Sequence, residues 1–115
     1  MPLRRNSKSI GGPKRAASLF AALGDENRLR LVWRLRDDGP MSITGLTAGS
    51  RITRQAITKH LRVMQQAHLV RSRRHGRESL WQLDQQRLQD ARRYLDLISK
   101  QWDQALGRLR EFVEE

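Results

Sequence analysis

The stretch Thr53-Arg-Gln-Ala-Ile-Thr-Lys-His-Leu-Arg-Val-Met64 concentrates the side chains best suited to recognition chemistry. Apolar residues recur at Ile57, Leu61 and Met64, a helical spacing, while Arg54, Gln55, Thr58, Lys59 and Arg62 fall on the other side. Arginine offers paired donors that match the O6 and N7 acceptors of guanine, and glutamine a donor and an acceptor that match adenine. Threonine offers a hydroxyl and a methyl, and Lys59 and Arg62 suit phosphates. Such a face fits a polyanion whose edges can be read. It would also pass for an ordinary solvated helix surface, so its surroundings must decide.

Those surroundings form a legible series of elements. Residues 1–14, with Arg, Lys, Ser, Gly and two prolines, read as a basic mobile tail ahead of a folded domain over 15–115. A short apolar helix, "AASLFAAL", stops at Gly24. Asp25 is placed to cap the next helix, "ENRLRLVWRLRDD", which ends at Gly39-Pro40. Ser42 is placed to cap a short helix over Ile43–Ala48, and Thr53 to cap the reading helix, residues 53–67. Beyond it the period becomes two. "LVRSRR" and "RESLWQL" predict a β-hairpin over 70–83, turning at His75-Gly76, with Ser79, Trp81 and Leu83 on one face and Arg71, Arg73, Arg74 and Arg77 crowding its tip.

Charge distribution supports the reading of the polar face. The net charge is +11 over 115 residues. Residues 1–15 hold five bases and no acid, and residues 41–83 hold eight bases against Glu78 alone, whereas 16–40 and 84–115 are balanced to within one charge. Segregation of this kind points to a polyanionic partner rather than to solubility. There is no cysteine, which excludes disulfides, thiolate metal sites and cysteine nucleophiles. No apolar run approaches the roughly 20 residues of a membrane span, and the basic N-terminus lacks the apolar core of a secretory signal. The expected location is cytoplasmic.

From Asp84 onward a helix, residues 85–114, carries Leu88, Ala91, Leu95, Ile98, Trp102, Ala105, Leu109 and Phe112 at alternating steps of three and four. That is a heptad seam. At about 40 Å the helix outgrows the small body before it, so the seam predicts dimerisation, with Leu19 and Phe20 of the first helix contributing. Gly107 interrupts the helix-forming pattern and suits a close helix approach.

Helix, turn, helix and basic hairpin together make a winged helix-turn-helix: a mainly α (α+β) fold with a two-stranded β-wing and a long C-terminal dimerisation helix. The second helix of the pair can enter the major groove of DNA. The expected DNA-binding residues are Ser42, Arg51, Thr53, Arg54, Gln55, Thr58, Lys59, Arg62, Arg73, Arg74 and Arg77. Residues 16–83, through "LGDENRLRLV", "TRQAITKHLRVMQQAHLV" and "RRHGRESLWQL", resemble the ArsR-type (arsenic-repressor-like) bacterial transcription regulators. The resemblance implies a homodimer with terminal helices at its interface, binding a (pseudo)palindromic operator as a repressor. Two departures stand out: Glu26 where the family pattern has proline, and His68 where it has glycine.

Many family members sense metals, but here Ser42 and Thr44 occupy the positions of the cysteine-containing metal box, and the C-terminal helix has no histidine. Neutral hydroxyls are poor ligands for soft or borderline ions. His60 reads as a structural side chain on the inner flank of the reading helix. No metal and no cofactor are expected, which places the chain with the metal-free branch. The expected partners are double-stranded operator DNA and a second copy of the chain, with room for an unidentified small-molecule inducer, and no membrane. The alternative is a winged-helix module for RNA or protein interaction. Against it, aromatics are 5% of the chain, and Trp33, Trp81 and Trp102 all read as buried, leaving no stacking platform. No constellation of an enzyme is present: there are no paired carboxylates in a basic pocket, no phosphate loop and no activated nucleophile.

Overall fold

The computed structural model describes residues 12–114. Five helices and one hairpin follow in order: α1 (Gly12–Leu23), α2 (Glu26–Asp38), α3 (Ile43–Thr47), α4 (Arg54–Gln66), β1 (Val70–His75), β2 (Glu78–Leu83) and α5 (Gln85–Glu114). The tail expected over residues 1–14 lies outside the described residues as far as residue 11. Residues 12–14 are not tail: they form the first turn of α1, where the fixed φ of Pro13 suits a helix start.

Capping explains where the helices begin and end. Asp25, Ser42 and Thr53 each accept a backbone N–H three residues on, from Arg28 at 3.0 Å, Gly45 at 3.0 Å and Ala56 at 3.1 Å. Each bond satisfies one of the donors that a helix start leaves unpaired. Gly39, at φ +76°, stops α2 and donates to the Leu35 carbonyl. The end of α4 turns through His68 at φ +60°. There the His68 N–H donates to the Gln65 carbonyl and the Leu69 N–H to the Met64 carbonyl, both at 2.9 Å, the two bonds of a Schellman motif. A left-handed position of this kind is where glycine is unstrained, which gives physical content to the family's preference there.

One core holds these elements together. It gathers Leu19 and Ala22 from α1, Leu31, Val32 and Leu35 from α2, and Leu46 from α3. Ile57, Leu61 and Met64 from α4 join Leu69, Val70, Trp81 and Leu83 of the hairpin region. Burying each of these large side chains contributes on the order of 1.5–3 kcal/mol before chain entropy is set against it. The hairpin is antiparallel, with Val70 opposite Leu83 and His75 opposite Glu78. Met41 adds a short third edge through reciprocal backbone bonds to Trp81 at 2.9 and 2.8 Å.

Only the start of α5 belongs to this body. Ala91 is buried and Leu88 half-buried against the core, and the Tyr94 ring lies 5.9 Å from that of Phe20. Beyond Tyr94 the helix is left largely exposed by the other described residues. The radius of gyration is 18.3 Å, against about 13 Å for a compact chain of this length, and the long dimension reaches 67 Å.

Candidate nucleic-acid interface

The inner side of α4 is sealed. Ile57, Leu61 and Met64 have no accessible surface, so the helix cannot roll, and the opposite side is fixed toward solvent. On it Arg54, Gln55, Lys59 and Arg62 are exposed and Thr58 half-exposed. Two of the expected readers are already engaged. A terminal nitrogen of Arg54 donates to the Thr44 hydroxyl at 3.0 Å, which holds the guanidinium against α3. The Thr58 hydroxyl donates to the Arg54 carbonyl at 2.9 Å, leaving its oxygen lone pairs and methyl to face outward. Ser42 and Thr53 each accept one helix-cap N–H and keep a hydroxyl proton to donate.

The hairpin register corrects the expected turn. His75 pairs with Glu78, so the loop is Gly76-Arg77, one residue later than read from the sequence. Gly76 takes φ +65° at the first loop position, while Arg77 does not adopt positive φ, the pattern of a type II′ turn. Nor do all four arginines sit at the tip. Arg71 lies opposite Gln82 near the base, and Arg71 and Arg73 line an outer groove with Gln82. Arg74, opposite Ser79, lies on the other face, and Arg77 is in the loop. Ser79 is exposed, so of the expected inner face only Trp81 and Leu83 reach the core.

Arg77 and Ser79 share a cleft with Ser42, Thr44 and Arg54, between the wing and the first turns of α3 and α4; Glu78 is its one acid. Hydroxyls and guanidinium groups converging on an open cleft make a hydrogen-bonding cradle for an anion. Arg51 lies apart, in a cleft between α2 and the turn before α4. Among the described residues none of Arg51, Arg54, Lys59, Arg62, Arg71, Arg73, Arg74 or Arg77 forms an ion pair. Their charge is available to a partner.

A family model described as a helix-turn-helix domain matches residues 23–73. The HTH-type transcriptional regulator Rv2034 of Mycobacterium tuberculosis is 32% identical over 95 residues, covering 83% of this chain and 85% of that protein. The HTH-type transcriptional regulator YuzN of Bacillus subtilis is 38% identical over 66 residues, 52% of this chain and 72% of the relative. The solved structure of an ArsR-like transcriptional regulator from Rhodococcus sp. RHA1 superposes with a TM-score of 0.79 at 34% identity, covering 86% of this chain and 92% of that one. This chain belongs to the ArsR family of transcription regulators.

As an ArsR-family regulator it is a DNA-binding protein with a winged helix-turn-helix, and not an enzyme. Among the described residues no three His, Cys, Asp or Glu side chains come together as a metal site, and no helix is long and apolar enough to cross a membrane.

Within this regulator, three arginines of the charge-balanced segments act as clamps on backbone carbonyls. Arg28 donates to the Ala22 and Ala21 carbonyls at 2.7 and 3.2 Å and meets His60 Nδ1 at 3.3 Å. That contact puts His60 on the inner flank of α4, as expected. Arg34 donates to the Gly45, Leu46 and Ala48 carbonyls at 3.0–3.3 Å, closing the C-terminal end of α3. Arg87, only 4% exposed, bonds α1, α4 and α5 together. No periodicity marks these residues. Except for the Arg15 carbonyl in the first turn of α1, their partners are carbonyls left over at helix C-terminal ends, which become neighbours only on folding.

Two further expectations change. Trp33 is 58% exposed, because it follows buried Val32 by one residue and so points about 100° round the helix from it. Trp102, at 64% exposed, is uncovered by the protomer too, so of the three tryptophans only Trp81 is buried. The seam also divides. Leu19 and Ala91 lie inside the protomer's own core, and Leu88 is half-buried against it with part of its surface still open. Leu95, Ile98, Trp102, Leu109 and Phe112 remain exposed, Phe112 by 77%, joined by Leu106 and Val113.

Proposed function

We propose that this ArsR-family chain is a homodimeric repressor that binds a (pseudo)palindromic operator. In this reading α4 enters the major groove, with Arg54, Gln55 and Thr58 toward base edges and Arg51, Thr53, Lys59 and Arg62 toward phosphates. The wing, through Arg73, Arg74 and Arg77, and the α3 cap Ser42 hold flanking backbone or an adjacent minor groove. The observation that carries it is the immobilised α4: one side fully buried, the other a set of exposed donors without ion partners. Arg54 gives one of its five N–H donors to Thr44, which leaves the others for a bidentate pair with a base. Dimerisation places the exposed α5 seam and Phe20 against a second copy, without a metal site of the family type, in the cytoplasm.

The test is fluorescence anisotropy at about 150 mM salt, where non-specific contacts are weak. Duplex DNA from upstream of the chain's own gene is compared with a scrambled duplex, followed by random-sequence selection. The expected outcome is saturation at two chains per duplex with a preference of ~1,000-fold or more. Equal, weak binding to every duplex, with no sequence emerging from selection, would overturn the operator reading. A preference for single-stranded RNA in competition would favour the alternative RNA-binding module.

A further inference from the structure

The C-terminal end of α4 and the first turn of α5 are bolted together by bonds that no helix-turn-helix pattern requires. The Asp84 N–H donates to the Leu69 carbonyl at 2.9 Å, and the Asp84 carboxylate caps α5 by accepting the N–H groups of Gln86 and Arg87. One turn on, the Arg87 side chain runs back into the body. Its Nε donates to the Ala67 carbonyl at 3.0 Å, one Nη to the Arg15 carbonyl at 3.0 Å and the other to Asp90 at 3.5 Å, and Gln86 donates to the remaining Asp90 oxygen at 3.3 Å. Arg87 and Asp90 are both buried.

A buried guanidinium and carboxylate are costly to desolvate, and well-packed apolar residues commonly hold a core as firmly. What apolar residues cannot do is fix direction. The planar fork of Arg87 requires two carbonyls, one at the end of α4 and one in α1, to keep a set distance and angle to α5. Core packing alone permits small rotations between helices; a forked hydrogen bond resists them.

We propose that Arg87 is a positioning residue for operator binding: it sets the angle between the reading helix and the helix pair α1–α5, and hence the separation of the two reading helices in a dimer. The inference rests on the proposed function, in which α4 reads DNA and α5 joins the copies. Two reading helices joined rigidly tolerate one half-site separation. An insertion of 2 bp between half-sites rotates one of them by about 70° relative to the other, so a rigid dimer must give up one set of base contacts. A dimer with a loosened α4–α5 joint can follow both.

The experiment uses the full chain and a duplex obtained by selection with the parent protein, alongside versions carrying 1 or 2 bp inserted between half-sites. The parent is expected to lose on the order of 100-fold in affinity on the 2 bp insertion. Arg87→Met with Asp90→Leu, which removes the charges together, is expected to bind the uninserted operator more weakly and to lose less than about 10-fold on insertion. Its dimer mass and its affinity for scrambled duplex should stay at the parent's values. Arg87→Lys keeps the charge beside Asp90 but not the fork, and gives the same reading should the double variant fail to fold. A folded, dimeric variant that keeps the parent's full spacing penalty overturns the proposal. A parent that shows no spacing penalty, or yields no operator, fails the underlying reading instead, and the two failures are told apart by the parent alone.

Discussion

Helices α4 and α5 carry the same kind of amphipathic pattern and meet opposite fates. In α4 the apolar residues Ile57, Leu61 and Met64 vanish into the protomer and the polar side is left bare. In α5 the apolar residues from Leu95 to Val113 are left bare. The difference lies in what the rest of the chain can reach. Helix α4 sits among α1, α2, α3 and β1, whereas among the described residues α5 outruns the twelve-residue α1 packed along its start. Amphipathicity states that a face will be covered. It does not state by what.

The sharpest way to break this contrast is to truncate one residue on each face. Leu61→Ala should destabilise the protomer by about 2–5 kcal/mol, read from urea unfolding midpoints. Leu109→Ala should leave the protomer's far-ultraviolet circular dichroism intact and raise the dimer dissociation constant in sedimentation equilibrium. A Leu109→Ala chain as tightly dimeric as its parent would end the comparison.

Next in size is the polar side of α4. Arg54→Ala should cost about 1–3 kcal/mol, roughly 10- to 100-fold, on the selected operator and little on scrambled duplex. Arg62→Ala should weaken both alike and reduce the salt slope by about 1. Equal losses from the two substitutions on every sequence would deny Arg54 a reading role.

At the end of α4, His68→Gly removes a left-handed strain and should stabilise the protomer by about 1 kcal/mol in thermal unfolding. Gly107→Ala in α5 should yield about the same through helix propensity, since an added methyl there meets nothing within 4 Å in the protomer. Stabilisation accompanied by a weaker dimer would place a close helix crossing at Gly107, which sharpens the contrast further.

The smallest effect concerns acid. The Arg28 N–H bond, with the charge of Arg28 and nearby His60, outweighs partial desolvation and holds the Asp25 carboxyl below its usual 3.8. A lowered folded pKa means a contribution to stability that is present above the ordinary value and fades as pH falls through the lowered one. Asp25→Asn keeps a capping oxygen without the charge. It should flatten the acid limb of the stability profile as pH falls below the ordinary carboxyl value of 3.8, measured by urea midpoints.

Much of the site was legible because local chemistry determines it. Caps at Asp25, Ser42 and Thr53, the stop at Gly39 and the buried side of α4 each depend on residues within four positions of one another, so a linear reading reaches them. The hairpin was legible in kind but slipped by one residue, since Gly76 can serve either loop position and only pairing across the strands chooses. Trp33 was misplaced because hydrophobicity alone does not say which side of the buried face a residue one step beyond it will take.

The sequence by itself determined the winged-helix order, the segregation of charge into the hairpin and reading helix, and the seam along α5. Tertiary structure alone decided which part of that seam the protomer covers, since Leu88 and Ala91 meet α1 only after folding. It also decided that Arg28, Arg34 and Arg87 bond to backbone carbonyls, Arg87 from a buried position and the other two half-exposed. The physical reason is common to both: a carbonyl at a helix end or an apolar stripe on a long helix has no preferred partner in the sequence. It takes whichever group the packed elements bring within reach.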